Sequence, residues 1–312
     1  MAKDYSAAQL AAAVPAALAG LRIDLALAKI FPQYSRSRLQ AWLKAGHVKV
    51  RRGGAQIAVE RSTQVAGNES VEIAPPPAAD LAQPPAQRLP LAIVFEDRDL
   101  IVLNKPAGLI VHPGAGNPDR TLMNALLAHA PALRQVPRAG IVHRLDKDTS
   151  GLMVVAKNLS AQARLAAQLA ERSVARTYLA VVHGVPPERG LIDAPIGRDT
   201  RARTRMTVTR RGKEARTRYR VLEPLGNAAL VECKLETGRT HQIRVHLQHL
   251  HHPVVGDPVY RRGAARNLAF GRQALHAAEL ELVHPRSGKP KRWKAPLPAD
   301  MKKLLAELRR ER

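Results

Sequence analysis

The sequence predicts an α+β protein: a small α/β unit over residues 20–73, then a larger unit over 91–310 built on a mixed, largely antiparallel sheet. Three observations predict it. Residues 74–90, APPPAADLAQPPAQRLP, lack any helical or strand period and are stiffened by proline toward polyproline II, so they read as a semi-rigid linker. The chain has 312 residues, which at roughly 150 per domain leaves room for about two. Beyond the linker, short apolar strands alternate with a few helices through short, turn-like connections, which suit antiparallel pairing better than the long crossovers of a doubly wound sheet.

In the small unit, Ile23, Leu27, Ile30 and Phe31 recur at helical spacing up to Pro32. Ser35 or Ser37 then suits an N-cap, since a serine oxygen accepts the free amide hydrogens of a first helical turn. In the helix that follows, Leu39, Trp42 and Leu43 face inward, with Arg36, Gln40 and Lys44 on the other side and Gly46 as the C-terminal stop. HVKV reads as a strand, Arg51 to Gly54 as a turn, and the stretch to Ile73 as further strand. Arg36, Arg38 and Lys44 on one helix are compatible with a plain solvated face. Beside a basic hairpin turn, in a chain this cationic, they read as a surface for RNA.

In the large unit, AIVFEDRDLIVLNKP suggests two strands about a turn at Glu96 to Asp99. LMVVAK, TYLAVVHG, ARTRYRVLE and ALVECKLET follow as strands. Thr121–His129, Ala161–Glu171, His241–Leu250 and Met301–Arg310 read as helices.

Charge narrows the function. Fifty Lys and Arg stand against 26 Asp and Glu, a net +24, so a polyanion is the expected partner. A membrane surface would call for a basic amphipathic helix or a lipidation signal, and neither is evident. Aromatics make up only 3%, which fits grip on phosphate and shape rather than an extended stacking platform. Cys233 is the single cysteine, which excludes an internal disulfide and fits a reducing cytoplasm. The Ala-rich start is broken by Asp4, Gln9 and Pro15 and does not read as a secretion signal. A soluble, cytoplasmic monomer is expected.

Two segments carry candidate chemistry. In GIVHRLDKDTSGLMVVAK, residues 140–157, a short strand is expected to lead into His143, Arg144, Leu145 and Asp146, then a polar turn and an apolar strand. That presents a carboxylate at the mouth of a sheet. Locally, Asp146 or Asp148 serves equally well as a turn cap. The pattern also has the outline of an aspartyl-phosphatase motif. Against that, Ser stands at position 150 where Thr is needed, and no later acidic pair supplies metal ligands. In LETGRTHQIRVHLQHLHHP, residues 235–253, Thr240 is expected to cap a helix burying Ile243, Leu247 and Leu250. Arg239 and Arg244 then lie near its start, either plain surface arginines or partners for a carboxylate. His241 and His246 are five apart, off a common helical face, with no HExxH or cysteine beside them, so no metal site is expected.

Taken in order, LNKPAGLIVHPG, GIVHRLDKDTSGL, ARTYLAVVHG, LETGRTHQIRVHL, HPVVGDPVY and HPRSGKPKRWKAPLP resemble the pseudouridine synthases of the large-subunit rRNA family, over nearly the whole chain. Residues 20–73 also resemble the S-four RNA-binding domain. The resemblance implies a pseudouridine synthase catalytic domain behind a small RNA-binding one. It implies that Asp146 is the essential aspartate, Tyr178 the residue stacking on the target base, and Arg244 the partner of the aspartate. Arg144 would enter the RNA stack where the uridine has left it. Arg176 stands where many relatives carry lysine. His143, Arg239, Thr240 and Gln242 complete the expected substrate contacts, with Arg36, Arg38 and Lys44 on the small unit. The implied reaction is an isomerisation with no redox change and no transferred group, so no cofactor is expected. The expected partner is large-subunit rRNA or a ribosomal precursor particle. Two alternatives stand beside this: a sister synthase with other rRNA or tRNA targets, and a catalytically silent RNA-binding or ribosome-assembly factor.

Overall fold

The structure, a computed structural model, describes residues 10–32, 34, 36–75, 84–114, 117–202, 205–260, 268 and 270–311. The chain divides into two compact units, Met1–Gln83 and Pro84–Arg312.

The small unit begins earlier than its helical periodicity suggests. The Ala-rich run forms a strand, β1 (Leu10–Ala13), ahead of α1 (Ile23–Ile30), α2 (Arg36–Lys44), β2 (Val48–Arg52), β3 (Ala55–Ile57) and β4 (Ser70–Ile73). These make one antiparallel sheet in the order β1-β4-β2-β3. Of the stretch to Ile73 expected as strand, only β3 and β4 are extended. Leu39, Trp42 and Leu43 of α2 join Ile23 and Leu27 of α1 and Phe31 just past its end in the core. The helix stops at Gly46, whose φ is +79°, with His47 N–H returning to the Trp42 carbonyl at 2.9 Å and Gly46 N–H to that of Leu43 at 3.3 Å. Ser35 and the side chain of Ser37 lie outside the described residues, and the expected serine cap with them. Arg36 and Gln40 do not simply face water. Both reach the fully buried carboxylate of Asp24, which Arg22 also holds. Burial alone would raise the Asp24 pKa; hydrogen bonds from Arg36, Gln40 and Arg22 more than offset it and hold the group below its ordinary value.

The large unit is built on a nine-stranded sheet. Its strands are β5 (Ile93–Glu96), β6 (Leu100–Lys105), β7 (Ser150–Ala156), β8 (Ala175–His183), β9 (Arg189–Asp193), β12 (Arg216–Leu225), β13 (Ala228–Leu235), β14 (Leu275–Val283) and β15 (Pro290–Lys294). A separate ribbon pairs β10 (Ile196–Arg198) with β11 (Met206–Val208). The order is β5-β6-β7-β14-β8-β13-β12-β9, with β15 against β14. Only the β7–β14 pair is parallel, so the sheet is mixed and largely antiparallel. The central strands are covered on both faces, which explains their unbroken apolar runs. Ile101 and Leu103 of β6, with Met153 and Val155 of β7, enter one core. Leu100, Val102, Leu152 and Val154 enter the other, beneath Leu165 of α4 (Leu159–Ala170). The remaining helices are α3 (Leu122–His129), α5 (Gln242–His249) and α6 (Ala299–Arg310). Thr121 caps α3 in a reciprocal capping box with Asn124. The second half of the proline-rich segment is fastened there: Gln87 N–H reaches the Asn124 carbonyl at 3.0 Å, and Asn124 Nδ2 donates to the Pro85 carbonyl at 2.8 Å.

The strand expected before His143 is not formed. Residues Pro137–Gly140 make a tight 3-10 turn in which Arg138 and Ala139 adopt left-handed conformations, φ +55° and +50°. Ile141 retains a single bridge to Val155. Gly140 passes so close to β7 that an added Cβ would lie 1.8 Å from the Ala156 carbonyl oxygen, so the chain turns instead of pairing along the strand.

Candidate active site

The loop carrying Asp146 is held from behind by its own backbone. Thr149 N–H closes the turn on the Asp146 carbonyl at 3.2 Å. The Lys147 carbonyl accepts from Lys105 Nζ at 2.8 Å and from Gly108 N–H at 2.9 Å. The Asp148 carbonyl accepts from Arg272 Nη1 at 3.1 Å. Among the described residues, the Asp146 side chain bonds no backbone amide, so the turn-cap alternative does not describe it. Its carboxylate instead faces a cleft of about 450 Å³, lined also by Tyr178, Arg144, Arg176, Arg239 and His241.

Arg244 reaches Asp146 from α5. Its Nη1 donates to Asp146 Oδ2 at 2.9 Å, while Nε and Nη2 are both taken by Asp257 at 2.6 and 2.8 Å. Asp257 is fixed in turn by the amides of Val259 and Tyr260. The Tyr260 ring lies 5.0 Å from the Arg244 guanidinium carbon. Burial works against the charge of Arg244, yet Asp257 and Asp146 more than compensate and raise its pKa above the ordinary value. The guanidinium is therefore a permanent, immobile cation beside Asp146.

Tyr178, on β8, is 6% exposed and forms part of the cleft wall. Burial raises its pKa, which keeps it a neutral phenol with an apolar ring face. Arg144 and Thr240 are exposed at the cleft. Arg239 is tied by Nε to the Glu214 carbonyl at 2.9 Å.

Three expected assignments change. Thr240 does not cap α5: the cap position belongs to His241, which is left-handed at φ +57° and makes no side-chain cap bond. Gln242, expected at the substrate, lines the cleft but is buried, and both ends of its amide are used internally. Its Oε1 accepts from Arg239 N–H and Thr237, and its Nε2 donates to Arg216 O and Thr217 Oγ1. His143 lines the cleft, but its ring turns back to the sheet, where Nε2 accepts from Val154 N–H at 3.1 Å. Burial, with a contribution from Arg176, pushes its pKa down to about 3, so it is neutral and holds the loop. Arg36, Arg38 and Lys44 stand on α2 of the small unit.

Asp257, Tyr260 and Lys105 were not singled out from the sequence. All three lie in recurrent motifs quoted above, HPVVGDPVY and LNKPAGLIVHPG, but nothing local in those motifs says which partner each side chain meets.

Residues 99–249 match the model of the RNA pseudouridylate synthase family. The chain is 53% identical over 302 residues to ribosomal large subunit pseudouridine synthase D of Nitrosomonas europaea, covering 95% of this chain and 87% of the relative. It is 48% identical to the protein of the same name from Pseudomonas aeruginosa, covering 97% of each. Among solved structures, human RNA pseudouridylate synthase domain containing 1 superposes with a TM-score of 0.56 at 31% identity, covering 72% of this chain and 97% of that one. Identity at this level across nearly the whole chain leaves one assignment: it belongs to the RNA pseudouridylate synthase family and is a pseudouridine synthase.

Proposed function

We propose that the substrate is large-subunit rRNA, at clustered uridines of one stem-loop, and that Asp146 is the catalytic group. The observation that carries this is the 2.9 Å contact between Asp146 and an arginine immobilised by a second carboxylate, at the floor of a cleft lined with further arginines. A glycosidic bond within a stack is shielded, so the uridine must first swing out, at a cost of about a few kcal/mol. Phosphate contacts and Arg144, inserted at the vacated place, offset that cost. Asp146 then acts as nucleophile or as the base that takes a sugar proton. Tyr178 holds the freed uracil so that it turns and rejoins through carbon before it escapes. The small unit, read as an S-four-like RNA-binding domain over residues 20–73, adds Arg36, Arg38 and Lys44 as phosphate contacts.

Asp146→Asn is expected to lower pseudouridine formation in large-subunit rRNA by roughly 10³-fold or more, with RNA affinity nearly unchanged. Mapping pseudouridine in rRNA with the parent and variant proteins tests both parts. Turnover surviving in the variant removes Asp146 from the role, and modification confined to tRNA removes the rRNA assignment.

A further inference from the structure

We infer that His241 is a further catalytic residue, a fixed hydrogen-bond donor whose Nε2–H serves a carbonyl oxygen of the uracil as it leaves the sugar. His241 occupies the cap position of α5. Its side chain is one-fifth exposed and lines the same cleft as Asp146 and Tyr178. Its backbone is left-handed at φ +57°, and its side chain makes no cap bond to the helix.

The tautomer follows from the network behind it. Tyr260 is fully buried, so its hydroxyl hydrogen needs an acceptor within the protein. Met206 N–H donates to the Tyr260 oxygen at 2.9 Å and uses one lone pair. The acceptor in reach of the hydroxyl hydrogen, among the described residues, is His241 Nδ1 at 2.8 Å. With Tyr260 donating, Nδ1 is bare and the ring hydrogen sits on Nε2. Burial also lowers the His241 pKa, more than the nearby Asp146 raises it, which favours the neutral ring. Tyr260 cannot swing away to release the histidine, because its ring is fully buried, with the guanidinium groups of Arg244 and Arg205 at 5.0 and 5.7 Å from its centre.

Nε2 lies 3.9 Å from Asp146 Oδ1. That is beyond hydrogen-bonding distance, so the donor is aimed toward the reacting carboxylate but not spent on it. When the C1′–N1 bond breaks, its electron pair stays on N1 and spreads into the uracil carbonyl oxygens. A fixed N–H beside that oxygen stabilises the new charge more than it stabilises the intact nucleoside, and the proton remains on Nε2 throughout.

The inference rests on the rRNA substrate proposed above, and the two fail differently. If the parent protein forms no pseudouridine in rRNA, that substrate falls; if the parent is active, the variants judge His241. His241→Asn suits the left-handed backbone but withdraws the donor from the Nε2 position, whereas His241→Gln restores a donor near it. Single-turnover rates and RNA dissociation constants are measured for both, with folding checked by thermal melting. His241→Asn is expected to slow turnover by at least about tenfold while affinity stays within about twofold, and His241→Gln to recover part of the rate. A His241→Asn rate within about twofold of the parent overturns the role, as does a loss seen only in affinity or a Gln variant no faster than Asn.

Discussion

Asp257 holds Arg244 by two nitrogens and leaves it one for Asp146, so the orientation of the guanidinium at the Asp146 carboxylate is decided by a residue 13 positions further along the chain. Both Arg244 and Asp257 are buried, with side-chain exposures of 4% and 0%. Asp257→Asn keeps the shape but removes the charge that fixes Arg244. Turnover is expected to fall by roughly 10²-fold and stability by about 3 kcal/mol, because a buried guanidinium is left under-compensated. Single-turnover kinetics beside denaturant unfolding separates the two effects; full activity in the variant would show that Asp257 does not orient the site.

Arg36 has a structural duty as well as its proposed one. Arg36→Gln is expected to destabilise the small unit by about 1–3 kcal/mol, because Asp24 then loses one of the three side chains, with Arg22 and Gln40, seen to hold it among the described residues. Lys44 is exposed near the end of α2, where Lys44→Gln should leave stability within about 0.5 kcal/mol. If Lys44 touches phosphate, the substitution lowers the salt dependence of RNA binding by about one unit of slope. Unchanged slopes for both Lys44→Gln and Arg38→Gln would remove α2 from the RNA interface.

Gly151, the second residue of β7, has φ +118°, and an added Cβ would lie 2.3 Å from the Ala277 carbonyl oxygen on β14. No side chain fits between these backbones. Gly151→Ala is expected to cost about 3 kcal/mol or more and to disturb the only parallel pairing in the large sheet, five residues beyond Asp146. Melting-temperature and activity measurements should fall together.

Lys105 is fully buried, with Nζ 2.7, 2.9 and 2.8 Å from the carbonyls of Pro106, Leu109 and Lys147, of which the ammonium form serves all three and the neutral amine two. Burial pulls its pKa down to about 7 from 10.5. Between those values the unfolded chain binds the extra proton and the folded protein does not, so this residue makes stability rise with pH across that window. Below about pH 7 its full burial cost is present. Lys105→Met should remove this slope, at most about 1.4 kcal/mol per pH unit, while lowering stability by leaving the carbonyls that Nζ serves without their donor. Unfolding free energies of parent and variant between pH 7 and 10 provide the comparison; parallel curves would show that Lys105 does not titrate in this range.

The sequence by itself determined the elements whose signal is periodic. The spacing of Leu39, Trp42 and Leu43 placed α2, and the runs around Leu100–Lys105 and Ser150–Ala156 placed β6 and β7. It also singled out Asp146, Tyr178 and Arg244, through motifs that stay recognisable in the chain itself, and the fold brings all three to one cleft. Tertiary structure alone decided how donors and acceptors are shared. Gln242, His143 and Arg36 look equally available in the sequence, yet Gln242 is consumed by Thr217 and Arg216, His143 by the Val154 amide, and Arg36 partly by Asp24. The left-handed turn before His143 and the left-handed His241 likewise answer to strands and side chains far away in sequence. A repeating apolar pattern is a property of neighbouring residues, whereas the partner a polar group finds depends on which distant segments the fold brings within about 3 Å of it.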